Sequence, residues 1–250
     1  MTDEPARPKR EKKAELKLES KRRAWSLTRP DPLTSLVLSL PLFVVYHVGI
    51  LFTRGRNGVD FVTNVFTSLA RHSTPLYLGV VALVAVGIVV TAITLGRKQR
   101  VAPAAFVPLL LESAVWAVLL TVVVGSATAR IFGAQIGPQD LGPVDQLVLS
   151  CGAGVHEELV FRVALFGGGT AILKRWPLFP AVLAMPVALV VSSVLFSLVH
   201  YLGGEPFRLV SFVFRFLMGV GLALIYRYRG YAVASWSHAL YDVFVFLIAT

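Results

Sequence analysis

The apolar positions of this chain fall into seven long runs, at about 33–53, 75–95, 104–124, 146–172, 183–201, 207–227 and 231–249. A membrane crossing needs roughly 20 apolar residues, so each run predicts a spanning helix, the fourth unusually long. No internal repeat and no linker marks a second domain. The expected fold class is all-α, a polytopic transmembrane helix bundle of about seven spans over 33–250, preceded by a polar arm over 1–32.

Local signals refine the runs. Gly137 to Pro143 is rich in turn residues, and Asp145 is placed to cap the fourth helix. Gly167-Gly168-Gly169 interrupts that helix near its end. It lacks the preceding strand and the spacing of a phosphate-binding loop, so it predicts a bend or a close helix contact. Pro186 predicts a first helical turn or a kink in the fifth run.

Composition agrees with the pattern. Of 250 residues 56% are hydrophobic and 15% charged, with a mean hydropathy of +0.71, whereas a soluble domain carries roughly 25% charged residues. The single cysteine, Cys151, excludes a disulfide framework and a thiolate zinc site; in apolar surroundings it reads as an inert small hydrophobe. No cleavable signal peptide is expected, because the first run is too long and lacks a small-residue cleavage site.

The net charge of +10 resides mainly in the arm and the short loops. That is the positive-inside pattern, and it argues against nucleic acid as a partner. The arm holds ten Lys/Arg and six Asp/Glu; Lys12 to Arg23 reads either as an amphipathic helix on an anionic membrane surface or as a solvated tail. With the arm in the cytoplasm, the loops with Arg97-Lys98-Gln99-Arg100, Lys174-Arg175 and Arg227-Tyr228-Arg229 fall on the same side. The opposite loops hold Asp60, Asp140, Asp145 and Glu205, diluted by Arg54, Arg56, Arg71 and Arg130. The expectation is an integral protein of a bacterial inner (cell) membrane, with its N-terminus cytoplasmic and its C-terminus outside.

Against this background the charges inside the runs need explaining. Beyond the arm only eight acidic residues remain, and Glu112, Glu157, Glu158 and Asp242 lie within spans, together with His47, His156, His200 and His238. Ionisable residues in a span are costly and mark function by default. Glu158 and Arg162 are i,i+4 with the acid N-terminal, the better order for an ion pair. Glu157 is turned about 100° from Glu158 and can point elsewhere. Phe196 and His200 are i,i+4 on the fifth helix. His238 and Asp242 are i,i+4 on the seventh, where the carboxylate can orient the imidazole.

Glu-Glu-x-x-x-Arg at 157–162, Phe-x-x-x-His at 196–200 and His-x-x-x-Asp at 238–242 resemble, in that order, the motifs of the CPBP family. These are the CAAX-processing and bacteriocin-immunity (Abi) intramembrane proteases, or type II CAAX endopeptidases. The resemblance covers about residues 105–249, the protease core; the arm and first two spans add nothing to it. It implies that Glu157 is the catalytic acid/base and that His200 activates the water beside it. His238 and Asp242 would polarise the scissile carbonyl or hold its oxyanion, Glu158 and Arg162 would form a structural pair, and Phe196 would support the site. The family's third motif ends in Asn or Asp, and here it is Asp242.

The chemistry suits the residues. A carboxylate can take a proton from water and return it to the leaving amine, and imidazole and a second polar group can stabilise transition-state charge. A divalent metal such as zinc is possible at Glu157, His200 and His238. Metal-free glutamate catalysis is favoured, because position 160 is Val and His156-Glu157 therefore does not open a His-Glu-x-x-His motif. The implied partner is a membrane-associated or lipidated protein cut near its C-terminus.

Glu157 lies about 18 Å along the fourth helix from Asp145, at 1.5 Å per residue. The site would then open in the outer half of the bilayer, which fits the myxosortase-like members better than those acting on cytosolic prenylated tails. Two other classes use the same residues: a proton- or cation-coupled transporter, disfavoured by the lack of inverted repeats, and an inactive scaffold or immunity protein. Outside the motifs, His156 reads as a residue supporting or lining the site and His47 as a packed or interfacial residue. Glu112 and Arg215 are expected to face one another or the cavity. Phe207, Phe212, Phe214 and Phe216 read as lipid-facing or packing surface, or as part of a substrate groove.

Overall fold

The structure, a computed structural model, describes residues 30–52, 65, 68–69, 71–132, 142–203 and 206–248. The expected helix over Lys12–Arg23, Gly137 to Leu141 of the turn-rich loop, and loop residues Arg54, Arg56, Asp60, Asp140 and Glu205 lie outside them. Seven helices occupy the seven apolar runs. They are α1 (Pro32–Gly49), α2 (Thr74–Gly96), α3 (Phe106–Phe132, entered through a 3₁₀ turn Pro103–Ala105) and α4. The last three are α5 (Ala184–Val199), α6 (Leu209–Arg229) and α7 (Tyr231–Ile248). The fourth is a rod of three consecutive segments, Pro143–Gly152, Ala153–Gly168 and Gly169–Arg175. The chain is a polytopic helical membrane bundle, and among the described residues five stretches meet the length and apolarity of a crossing: Pro32–Gly49, Thr74–Gly96, Pro103–Phe132, Ala184–Leu202 and Leu209–Arg229.

The helix starts follow from local chemistry. Asp31 accepts from the Thr34 backbone N–H and hydroxyl, both at 2.9 Å, with Pro32 leading the first turn of α1. Ser73 caps α2 in the same way. Asp145 is not the cap of α4. Gly142 holds that position and Asp145 lies in the first turn, where an acid still complements the helix dipole. Pro186 lies in the first turn of α5, as expected.

The triple glycine does not break α4. Gly168 and Gly169 keep right-handed helical angles (φ −63 and −57), so the expected bend is absent and the alternative, a close contact, holds at Gly167. A Cβ there would come within 2.9 Å of the Tyr226 hydroxyl on α6. The middle segment of α4, Ala153–Gly168, is instead wound as a π-helix, a geometry rare in proteins and frequent at functional sites.

The seventh helix is the centre of the bundle. It packs against α1, α3, α4 and α6, and Ala232, Val233, Ala234, Ser235 and Ser237 are wholly buried. Small side chains let neighbouring backbones approach closely. The closest approach is at Gly154 on α4, where a Cβ would meet the Ser235 carbonyl oxygen at 2.5 Å and the Ala239 Cβ at 2.9 Å. Only a glycine permits that spacing, and it sets α4 against α7 one turn from Glu157 and His238. Two side-chain bonds fix the rotation of α7: Tyr231 donates its hydroxyl to the Val155 carbonyl (2.9 Å) and Trp236 its indole N–H to that of Leu38 on α1 (2.8 Å).

A candidate intramembrane active site between α4, α5 and α7

Glu157, Glu158 and Arg162 are carried inward by the π-wound part of α4 and are buried to 2%, 0% and 1% exposure. Arg162 Nε lies 3.1 Å from Glu158 Oε2, the i,i+4 pair expected from the spacing. The guanidinium then spreads over the Phe196 ring of α5, 4.3 Å from its centroid. Cation–π contact is worth more in dry surroundings, which suits a charge with so little solvent. Phe196 itself is placed by a second glycine contact, since a Cβ at Gly219 of α6 would lie 3.3 Å from its ring.

The imidazole of His238 is where the motifs converge. Its Nδ1 donates to Glu158 Oε1 at 2.9 Å. Its Nε2 lies 4.0 Å from Glu157 Oε2 and 3.8 Å from Asp242 Oδ2. Glu158 is therefore more than the partner of Arg162: it grips His238 on one ring nitrogen and leaves the other facing Glu157 and Asp242. The expected i,i+4 pair of His238 and Asp242 is present at 3.8 Å, and the shorter contact to the imidazole comes from Glu158 on α4.

His200 begins the 3₁₀ turn His200–Gly203 that ends α5, and its Nδ1 is anchored to the Phe196 carbonyl oxygen at 2.7 Å. Its ring meets the Phe196 ring edge-on at 5.1 Å, and Phe196 meets His238 at 5.9 Å. One phenyl ring thus touches Arg162, His200 and His238, and the seven motif residues form one cluster, buried except at the partly exposed Asp242.

Other expectations divide. Glu112 does not face Arg215. It pairs with Arg229 at the end of α6 and accepts from the Trp116 indole at 3.1 Å, tying α3 to α6. Arg215 instead lies over the Tyr201 ring, 5.4 Å from its centroid. Cys151 is buried. Phe207 is 61% exposed and stacks with Tyr201 and Phe212, while Phe214 packs toward Tyr241.

The first two helices hold what the motifs did not reveal. His156 points its ring at Tyr46 (4.8 Å) and His47 (5.1 Å) of α1, and His47 Nδ1 bonds the Tyr77 hydroxyl of α2 at 2.8 Å. This aromatic and imidazole cluster backs the α4 segment that carries Glu157. Its signal in the sequence was the Tyr46-His47 pair inside an apolar run.

Zinc would need three or more convergent ligands. Among the described residues no group of three His, Cys, Asp or Glu is placed to hold a metal ion, and Glu158 already occupies one nitrogen of His238. The set expected for a metal, Glu157, His200 and His238, does not form such a group here.

Residues 140–244 match the family model described as type II CAAX prenyl endopeptidase Rce1-like. Over that stretch the chain is similar to that family. The match spans all three motifs, and with the helical membrane bundle it supports the general kind of an intramembrane protease. No curated protein and no solved structure matches the chain closely enough to indicate a relationship.

Proposed function

We propose that this chain is an intramembrane endopeptidase of the CAAX-protease kind that removes a C-terminal segment from a membrane-associated protein, using water activated by Glu157 with His200. The observation that carries the reading is His238, with Nδ1 fixed by Glu158 and Nε2 turned toward Glu157 and Asp242. A scissile carbonyl approaching Nε2 would meet the catalytic carboxylate and the polarising imidazole together. Glu157 takes a proton from water as the oxygen attacks, and returns it to the leaving amine. As the imidazolium, with its Nδ1–H given to Glu158, His238 donates its Nε2–H to the developing oxyanion, the interaction that usually contributes most to such reactions. No step passes through a metal, so a chelator should leave cleavage unchanged; loss of cleavage restored by zinc would replace this scheme with a metal-dependent one.

Further elements of the proposal concern membrane and substrate. With a cytoplasmic N-terminus in a bacterial inner membrane, the site opens toward the outer leaflet and takes anchored tails of exported proteins, in the manner of myxosortase-like members. A His200→Cys variant should then react with an impermeant maleimide added outside; reaction only from the cytoplasmic side would overturn the orientation. The central test compares the membrane proteomes of cells carrying the native chain and Glu157→Ala. A protein retaining its C-terminal tail only in the variant is the expected result. Identical proteomes, with proton-coupled uptake by reconstituted protein, would favour a transporter instead.

A further inference from the structure

The carboxylates of the site ride on a segment of α4 whose winding changes at one residue. Gly152 ends the α-wound part, and Ala153 opens the π-wound part that carries Glu157 and Glu158. A π-wound residue turns the chain by less than the roughly 100° of an α-wound one. The direction in which Glu157 points is therefore set by where the change begins. One position earlier or later would rotate both carboxylates relative to His238, whose Nδ1 is 2.9 Å from Glu158 and whose Nε2 faces Glu157 at 4.0 Å.

Two side chains converge on that residue. The ring of Tyr46, wholly buried on α1, sits so close to Gly152 that a Cβ there would fall on its Cδ2 and Cε2. His156 donates its Nδ1–H to the Gly152 carbonyl oxygen at 3.1 Å. A side-chain donor at that carbonyl competes with the backbone amide that would close an α-turn there. The His156 ring in turn meets the Tyr46 ring at 4.8 Å and the His47 ring at 5.1 Å, and His47 is tied to Tyr77 of α2. Nearby the contact repeats in reverse: Val148 of α4 sits on Gly49 of α1. The two helices interlock twice, which fixes their register. All of α1 lies outside the matched residues 140–244.

We propose that Tyr46 is a positioning residue of the active site: its ring on Gly152, together with His156, fixes where α4 passes from α to π winding and so aims Glu157 and Glu158 at His238. The first helix then acts on the chemistry through α4. The inference rests on the peptidase reading above and concerns the same site.

The test follows the full-length chain by two readouts. One is removal of the tail from the protein that accumulates with Glu157→Ala; the other is the nitrogen NMR signal of the His238 imidazole, identified by its loss in His238→Gln. Tyr46→Leu should lower kcat about 10–100-fold, the scale of a slightly misplaced reacting group, with KM nearly unchanged. It should also shift the His238 signal as the bond to Glu158 changes. Tyr46→Phe, which keeps the ring, should behave as the native chain in both. Val148→Ala is the control. It empties the other half of the interlock and should lower the unfolding midpoint, yet leave kcat near native and the His238 signal in place. If kcat simply follows the unfolding midpoint across Tyr46→Leu and Val148→Ala, the ring is packing alone and the proposal is overturned. A defective Tyr46→Phe chain overturns it too, by moving the role to the hydroxyl. If Tyr46→Leu does not accumulate in the membrane, Gly152→Ala, which lifts the same ring off the junction, takes its place with the same expected results. A native chain that removes no tail refutes the peptidase reading; the His238 signal then decides this one, which fails if Tyr46→Leu leaves that signal unmoved.

Discussion

Glu158–Arg162 and Glu112–Arg229 both join parts of this bundle, and they differ in almost every respect except their chemistry. Glu158–Arg162 lies within one helix, is 0% and 1% exposed, and touches α5 through Phe196 and α7 through His238. Glu112–Arg229 bridges α3 and α6 near the end of α6, with side chains 27% and 20% exposed. The first is tied into every motif; the second closes a seam at the rim. The contrast shows that what a buried ion pair does depends on which other groups share its atoms. Arg162 and Glu158 each have a second partner inside the site, so removing either leaves another group stranded.

The largest effect should follow from Arg162→Leu. Breaking a buried pair by removing one partner costs about 3–5 kcal/mol, so thermal unfolding of the purified protein in detergent should shift steeply downward; an unchanged midpoint would mean that Glu158 is content without its guanidinium. Gly154→Val should come next. Its Cβ alone would press on the Ser235 carbonyl, and overpacking of this kind costs about 1–3 kcal/mol, with activity lost as α4 moves away from His238. Glu158→Gln tests the double role of that carboxylate. It should cut activity about 10–100-fold, the scale for losing the group that orients a functional imidazole, while folded yield changes less than with Arg162→Leu. Glu112→Gln should be mildest, at about 0–1 kcal/mol for a partly exposed pair, with cleavage nearly intact. If it proved as damaging as Arg162→Leu, the distinction between core and rim would fail.

Much of this was legible in the chain. The seven helices follow from apolar length alone, and Glu158–Arg162 from i,i+4 spacing, because both are local properties. The convergence of Glu157, His200, His238 and Asp242 was legible only through three motifs read together. What spacing missed was the hydrogen bond from His238 to Glu158. It depends on the π-winding of α4 and on the close approach at Gly154, and neither rotation nor separation of two helices is written in either one. Glu112 was assigned the wrong arginine for a similar reason: its partner is 117 positions away, and two half-buried arginines on α6 were equally compatible with its charge. The His47–Tyr77–His156 cluster needed the packing of α1 and α2 to appear.

Gly230 has a consequence for how the site can move. It is the single residue between α6 and α7, at φ +88, a conformation that side chains other than glycine rarely adopt. So short a corner gives α7 no slack to travel lengthwise, and the residue before it is Arg229, fastened to α3 through Glu112. The corner works as a fulcrum held in a bracket. Any widening of the gap between α4 and α7 would then have to be a swing of α7 about that point, which would keep the depths of His238 and Asp242 along the bundle matched to Glu157.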